Sequence, residues 1–350
     1  MKKFLALLLA MIMVLSLVAC GQTTAPADEG GEDAASAEPI EITFASIMSG
    51  NCLSNQTAEK FCEMVAERSE GRITVNFFPD CQLGSENECV QMLKTNEIQM
   101  CYFGCNFGAV MCPEYDATIV PYLFQSVDDA RNFYLNDETM TPLIAAKIKE
   151  VANCSLIALN NRPVHMLSSV KKIETVDDLK GFKLRIPEIS AWNIVWGGMG
   201  ALPTVLSWSE CYAGLQTGVI EGEENPLDTK YGNKIYEVAD YMINTNHIYD
   251  TWHWCISNEF LDSLSAEDKD LILTCATEAC EWGDAALEEE VAKEVAEVEA
   301  TGVEFIDVDT KAFAEAALPY IKEYAQSTWA PETIEWVNAY LQSYGMDPLT

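Results

Sequence analysis

Two side chains in this sequence have the chemistry and the placement to hold an anion, Arg185 and Asn225. An arginine fork gives a carboxylate two parallel hydrogen bonds, and an asparagine amide adds a further donor or acceptor. Arg185 lies near the end of an apolar and basic run, Phe182-Lys183-Leu184-Arg185-Ile186, stopped by Pro187, which has no ladder donor. A second strand-like run, Val219-Ile220-Glu221, leads to Asn225-Pro226. Between the two runs, Ser207 and Glu210 have capping-box spacing, and Gly218 sits where a helix C-cap belongs. Strand, helix, strand, helix, strand is the order of a parallel α/β unit. Ligands of open α/β sheets bind beyond the carboxyl ends of the strands, and this places both side chains toward one cleft. Taken singly, an arginine at a strand end also suits a surface ion pair, and Asn-Pro an ordinary turn.

Longer motifs frame these two residues. Leu179-Lys180-Gly181-x-Lys183-x-Arg185-x-Pro187 is followed by Gly200-Ala201-x-Pro203-Thr204, then by Glu210-x-Tyr212-x-x-Leu215-Gln216-Thr217-Gly218-Val219-x-Glu221-Gly222-x-Glu224-Asn225-Pro226. Upstream stand Ser69-x-Gly71-Arg72-Ile73, Gln82-Leu83-Gly84-Ser85-Glu86 and Val120-Pro121-Tyr122-Leu123-Phe124; downstream, Tyr236-Glu237-Val238 and Thr245-Asn246-His247. From about residue 42 to about residue 300 this ordered set resembles the solute-binding proteins of tripartite ATP-independent periplasmic (TRAP) transporters, in their organic-acid-binding branch. The resemblance implies an α/β, two-lobed, periplasmic-binding-protein-like fold with a central cleft and a long helix spanning both lobes. Lobe I would comprise residues 41–161 with 250–288, and lobe II residues 162–249 with 289–350. It implies that Arg185 anchors a ligand carboxylate, that Asn225 adds a polar contact, and that Trp208 packs on the ligand body. A second cation is expected near Arg162 or His165: the spacing favours His165, the residue type Arg162. Glu188, just past the Arg185-Ile186-Pro187 turn, is placed to oppose further negative charge or to accept a ligand hydroxyl. The implied partners are a small organic acid and TRAP membrane permease subunits driven by an ion gradient. A ligand-binding module for an extracellular sensory receptor is the alternative.

Lys2 and Lys3 precede an apolar run, Phe4 to Ala19, too short for a comfortable membrane span. Leu17-Val18-Ala19-Cys20-Gly21 resembles a bacterial lipobox, which implies a lipoprotein signal peptide over residues 1–20 and a lipid on Cys20. Residues 21–40 have almost no large apolar side chain and read as a flexible acidic linker. The expected product is a monomer outside the cytoplasm, tethered to the membrane by that lipid.

The remaining chain of about 310 residues suggests two lobes rather than one core. The formal charge of −34 argues against nucleic acid, which needs basic surface. It does not argue against an anionic ligand, because charges beyond roughly 10 Å are largely screened. Ile40–Ile47, a helix over Thr57–Glu67 and Ile73–Phe78 read as a β-α-β opening, after which Glu86, Cys105 and Asn106 could face the cleft. Residues Ala266 to about Thr301 contain no Pro and one Gly, with apolar positions at helical spacing. They predict either one helix of about 50 Å or a broken pair. No Gly-x-Ser-x-Gly elbow, His-Glu-x-x-His or phosphate-cradling glycine loop occurs, so no catalytic residue and no cofactor is expected. The three His residues show no metal-ligand spacing, and the twelve cysteines besides Cys20 read mostly as small buried hydrophobes.

Overall fold

The computed structural model describes residues 38–50, 52–104 and 106–349. The leader with Cys20, the linker up to residue 37, Asn51 and Cys105 lie outside the described residues. In chain order the strands are β1 (Ile40–Ala45), β2 (Ile73–Phe78), β3 (Met100–Phe103), β4 (Cys154–Asn161), β5 (Met166–Ser169), β6 (Lys183–Ile186), β7 (Leu202–Val205), β8 (Gly222–Asn225), β9 (Tyr241–Asn244), β10 (Thr251–Ser257) and β11 (Glu304–Asp307). They form two sheets, β2-β1-β3-β10-β4 and β11-β9-β5-β8-β6-β7. This is a two-lobed α/β fold. Each sheet is mixed: β10 is antiparallel to β3 and β4, while β6 is parallel to both β7 and β8.

The parallel β6-β7-β8 unit matches the order read from the sequence, with one shift. Val219–Glu221 is not a strand but the exit from the helix Cys211–Thr217. Gly218 adopts φ +72°, and the Ile220 N–H returns to Gly214 O at 3.2 Å. Closing the helix end this way uses up the β-prone residues, and the strand begins at Gly222.

The chain leaves the first sheet after β4 and returns between β9 and β10. The outgoing and returning segments bond to each other: Arg162 N–H to Asp250 O at 3.2 Å and His165 N–H to Ile248 O at 3.0 Å. A third crossing uses the helix Ala266–Ala300, which is continuous for 35 residues, about 52 Å at 1.5 Å per residue. Ser265 caps it by accepting from Asp268 N–H, and Asp268 pairs with Arg72. Its first half buries Ile272, Cys275, Ala276 and Ala279 in the core of the first sheet. Gly283 is required there, because a Cβ would stand 2.4 Å from Thr57 Oγ1 on the helix Leu53–Arg68. Its second half buries Val298 with Leu227 and Met242 beside the second sheet. No described helix is long and apolar enough to cross a membrane.

Glu294 on this helix is 1% exposed, and neither carboxylate oxygen has a hydrogen-bond partner. Burial first, then the negative charges of Asp228 and Glu290, push its carboxyl up to about 8. An unfolded Glu titrates near roughly 4.3. Between those values the folded chain keeps a proton that the unfolded chain has lost, so this contribution is complete at low pH and is lost as pH rises through about 8. Glu294→Gln should therefore leave the melting temperature nearly unchanged at about pH 5 and raise it by several degrees at about pH 9. Calorimetry at both values checks this, and equal shifts at both would refute an ionisation origin.

The C-terminal segment is fastened by two acids, the buried Asp116 and the half-buried Asp137. Asp116 accepts from Tyr324 Oη and Trp329 Nε1, both at 2.6 Å, and Asp137 accepts from Trp336 Nε1 at 2.6 Å. Residues 324–340 thereby bond to residues 116–137, while the helix Thr310–Thr328 meets the second lobe where Tyr320 covers Gly198. Eleven described cysteines are free thiols, nine of them buried.

Candidate functional site

A cleft of about 480 Å³ opens between the two lobes. One wall comes from the first lobe: Met48 after β1, Glu86 at the start of the helix Glu86–Lys94, Gly104 after β3 and Trp252 on β10. The opposite wall comes from the second: Arg185, Pro187 and Glu188 at the end of β6, Trp192, the segment Val205–Ser209, and Glu224-Asn225 at the end of β8. Parallel pairing of β6 with β8 sets Arg185 level with Glu223, so the two strand ends deliver Arg185 and Asn225 to one place.

Three Lys and Arg side chains are buried among the described residues, and only one lacks an acid. Arg162 pairs with Asp250 at 2.6 Å, donates to Thr229 Oγ1 at 2.9 Å and stacks 3.9 Å over the Trp252 ring. Lys230 pairs with Glu223 at 2.5 Å. Arg185, 4% exposed, donates from Nε to Leu206 O at 2.9 Å and lies 5.6 Å from the Trp208 ring, with no carboxylate paired to it. A buried guanidinium held by one backbone carbonyl and one aromatic face keeps its terminal fork for something else. Trp208 is itself buried, fixed by the short helix Trp208–Glu210, whose Ser207–Glu210 capping box is formed as the spacing predicts.

His165 is not on the cleft surface. It sits behind Glu224, with Nδ1 at 2.8 Å from Glu224 Oε2 and Nε2 at 3.7 Å from Asp250 Oδ2. His247 Nε2 reaches the same Glu224 oxygen at 3.0 Å. Burial works against charging His165, but the charge of Glu224 and the hydrogen bond to Asp250 outweigh it and raise its pKa. Burial would likewise raise Glu224; the His165 charge and the bonds from both rings hold it at about 2 instead. Burial prevails at His247, whose pKa falls to about 4. A neutral His247 that donates from Nε2 to the carboxylate has Nδ1 free to accept the Thr245 hydroxyl at 2.8 Å. The ligating atoms of His165, Glu224 and His247 lie within 4.8 Å of one another, a donor set of metal-site type. Both rings bond the same carboxylate oxygen, Glu224 Oε2, while its buried Oε1 has no hydrogen-bond partner among the described residues.

Asn225 lines the cleft, and its Nδ2 donates to Glu223 Oε2 at 2.9 Å. Glu188 is exposed at the mouth, whereas Glu86 is buried in the opposite wall and accepts from Gly104 N–H at 2.9 Å. Sequence reasoning passed over Trp192 and Trp252 as lining residues, and the Lys230–Glu223 pair beneath them. Trp192 and Trp252 gave no signal beyond apolar periodicity. The pair had one: Gly-Glu-Glu-Asn is an improbable composition for the interior strand β8, where buried carboxylates require partners.

Residues 44–327 match the family of bacterial extracellular solute-binding proteins, family 7 (DctP). The chain belongs to this family. This family 7 protein is 31% identical over 264 residues to a solute-binding protein of Roseobacter denitrificans, covering 74% of this chain and 79% of the relative. It is 26% identical over 283 residues to the sialic acid-binding periplasmic protein SiaP of Vibrio cholerae, covering 79% and 85%. Among solved structures, a TRAP periplasmic solute binding protein from Roseobacter denitrificans with bound L-galactonate is similar at TM-score 0.78 and 26% identity, over 86% of this chain and 98% of that one. One from Pseudomonas putida F1 with bound D-glucuronate is similar at TM-score 0.78 and 25% identity, over 86% and 97%. Family membership makes the chain an extracytoplasmic TRAP-type binding protein, a carrier component rather than an enzyme.

Proposed function

We propose that this family 7 protein captures a small organic acid in the interlobe cleft and delivers it to the membrane subunits of a TRAP transporter. The observation that carries this is Arg185, the buried guanidinium of the cleft with no acid of its own. Its fork takes the ligand carboxylate in two charge-assisted hydrogen bonds. Asn225 adds a polar contact, the rings of Trp208, Trp192 and Trp252 cover the ligand body, and Arg162 rather than His165 supplies the second cation, from the cleft floor. Relatives are named for C4-dicarboxylates, 2,3-diketo-L-gulonate and sialic acid, ligands of different size and functional groups that all carry a carboxylate, and this supports the carboxylate as the common element. The relatives' names as periplasmic binding proteins favour transport over the sensory alternative. The apolar leader ending in Cys20-Gly21 supports a lipid anchor on Cys20, which would hold the monomeric carrier at the outer face of the membrane.

Residues Pro39–Thr350 form one compact unit, and a thermal-shift panel of organic acids on that unit tests the reading. A ligand at a hundred times its dissociation constant should add about 2.7 kcal/mol of apparent stability. A panel in which peptides or neutral sugars shift the transition and no acid does would overturn it.

A further inference from the structure

Three side chains meet behind the cleft wall from three different segments. His165 lies on the segment leaving the first sheet, Glu224 on β8, and His247 on the segment that returns. The two histidines stand 59 and 23 positions from Glu224 in the chain, so no local spacing announces the cluster. All three are buried, and their ligating atoms lie within 4.8 Å of one another. Glu224 Oε2 faces His165 Nδ1 at 2.8 Å and His247 Nε2 at 3.0 Å, while the buried Oε1 has no hydrogen-bond partner. A buried oxygen left without a donor costs free energy, so the carboxylate has bonding capacity in hand. The far nitrogen of each ring is also oriented. His247 Nδ1 is 2.8 Å from Thr245 Oγ1, and His165 Nε2 is 3.7 Å from Asp250 Oδ2. Such outer partners, fixing each ring from behind, usually accompany imidazole metal ligands.

We propose that His165 Nδ1, His247 Nε2 and the Glu224 carboxylate form a binding site for a divalent transition-metal ion of the zinc type. Two imidazole nitrogens disfavour calcium and magnesium, which take oxygen ligands, and suit zinc, cobalt or nickel. The ion takes the place of the ring protons that face Glu224, and Oε1 offers it a second carboxylate oxygen. Ligands about 2.0–2.1 Å from zinc stand roughly 3.4 Å apart in a tetrahedron. The two nitrogen–oxygen separations therefore widen by about half an ångström as the ion enters. His247 then donates from Nδ1 to Thr245 Oγ1, the opposite tautomer from the metal-free cluster. Three protein ligands leave a fourth position for an exchangeable one, and Glu224 lines the cleft, which gives the ion its way in. Arg162 and Lys230 act on the cluster electrostatically, and each is paired with an acid, Asp250 at 2.6 Å and Glu223 at 2.5 Å. The bound ion ties both crossing segments to β8, whichever acid the cleft carries.

Titration with zinc chloride alone, after treatment with a chelator, tests the site. The protein is expected to bind one equivalent and to melt several degrees higher, whereas calcium chloride at the same concentration leaves the transition in place. Loss of an outer partner costs a metal site roughly 10–100-fold in affinity. Loss of a ligand in His247→Gln or Glu224→Gln, which keep hydrogen-bonding side chains, is therefore expected to cost about a hundredfold or more. Anomalous scattering at the zinc edge from crystals of the parent protein places the ion without any variant, and a peak between His165, Glu224 and His247 is the expected result. Zinc that binds no tighter than calcium, or an anomalous peak elsewhere, overturns the proposal. So does zinc binding that survives His247→Gln and is lost on alkylation of the free thiols, of which Cys62 and Cys81 are only half-buried. None of these outcomes bears on the carboxylate reading of Arg185, which the panel of acids tests separately.

Discussion

Replacing Arg185 with Met is expected to weaken binding of the cleft ligand by a hundredfold or more while leaving the unliganded protein at least as stable as its parent. Truncating one partner of a buried, hydrogen-bonded charge pair costs roughly 2–5 kcal/mol in affinity, and each 1.4 kcal/mol or so is a factor of ten. The effect on the empty protein runs the other way. Arg185 is buried without an acid and keeps one backbone hydrogen bond, from Nε to Leu206 O. Holding a cation in that state is a cost of function, which the uncharged side chain removes. Arg185→Lys keeps the charge but loses the planar fork, so its affinity should fall between the two. Calorimetric titration and unliganded melting curves on the same preparations give both readouts. A large loss of unliganded stability in Arg185→Met would mean that the guanidinium is a structural tie.

Lys230→Met is expected to destabilise the fold by about 3–5 kcal/mol, the usual effect of stranding one member of a buried ion pair. Lys230 and Glu223 are both fully buried. Glu223 also accepts from Ser168 Oγ and, at 2.9 Å, from Asn225 Nδ2. Removing the ammonium leaves a carboxylate without its cation inside the second sheet, directly beneath the cleft residue Asn225. Adding Glu223→Gln removes the stranded charge and should restore most of the loss, because a neutral amide can still meet Ser168 and Asn225. Urea denaturation of the parent, the single variant and the double variant measures this. If the double variant were as unstable as Lys230→Met alone, the loss would lie in packing of the lysine stem and not in charge.

These two residues also mark how far the sequence could be read. Arg185 and Asn225 were legible because strand ends have a local signature: an apolar run, a proline that closes it, a capping box and a C-cap glycine between. The long helix was legible as a pattern, but its continuity was not. Whether residues 266–300 run straight depends on Gly283 lying against Thr57, a contact between segments more than two hundred positions apart. Arg162 and His165 illustrate the same limit at the site. Spacing brought both to the crossing between sheets, but their orientation depends on Asp250 and Glu224, each chosen by tertiary pairing. Val219–Glu221 was misread because β-propensity is a local average, and a helix-closing hydrogen bond from Ile220 overrides it.

The two segments that cross between the sheets share backbone hydrogen bonds, and the Arg162–Asp250 pair joins their side chains. Arg162 is also part of the cleft floor. Filling the floor and bending the crossing therefore draw on the same contacts and cannot be independent variables. Reciprocity follows: whatever free energy an occupant contributes to one arrangement of the lobes, that arrangement returns as affinity for the occupant. Anything that grips the lobes from outside, a membrane partner included, must then alter how firmly the cargo is held.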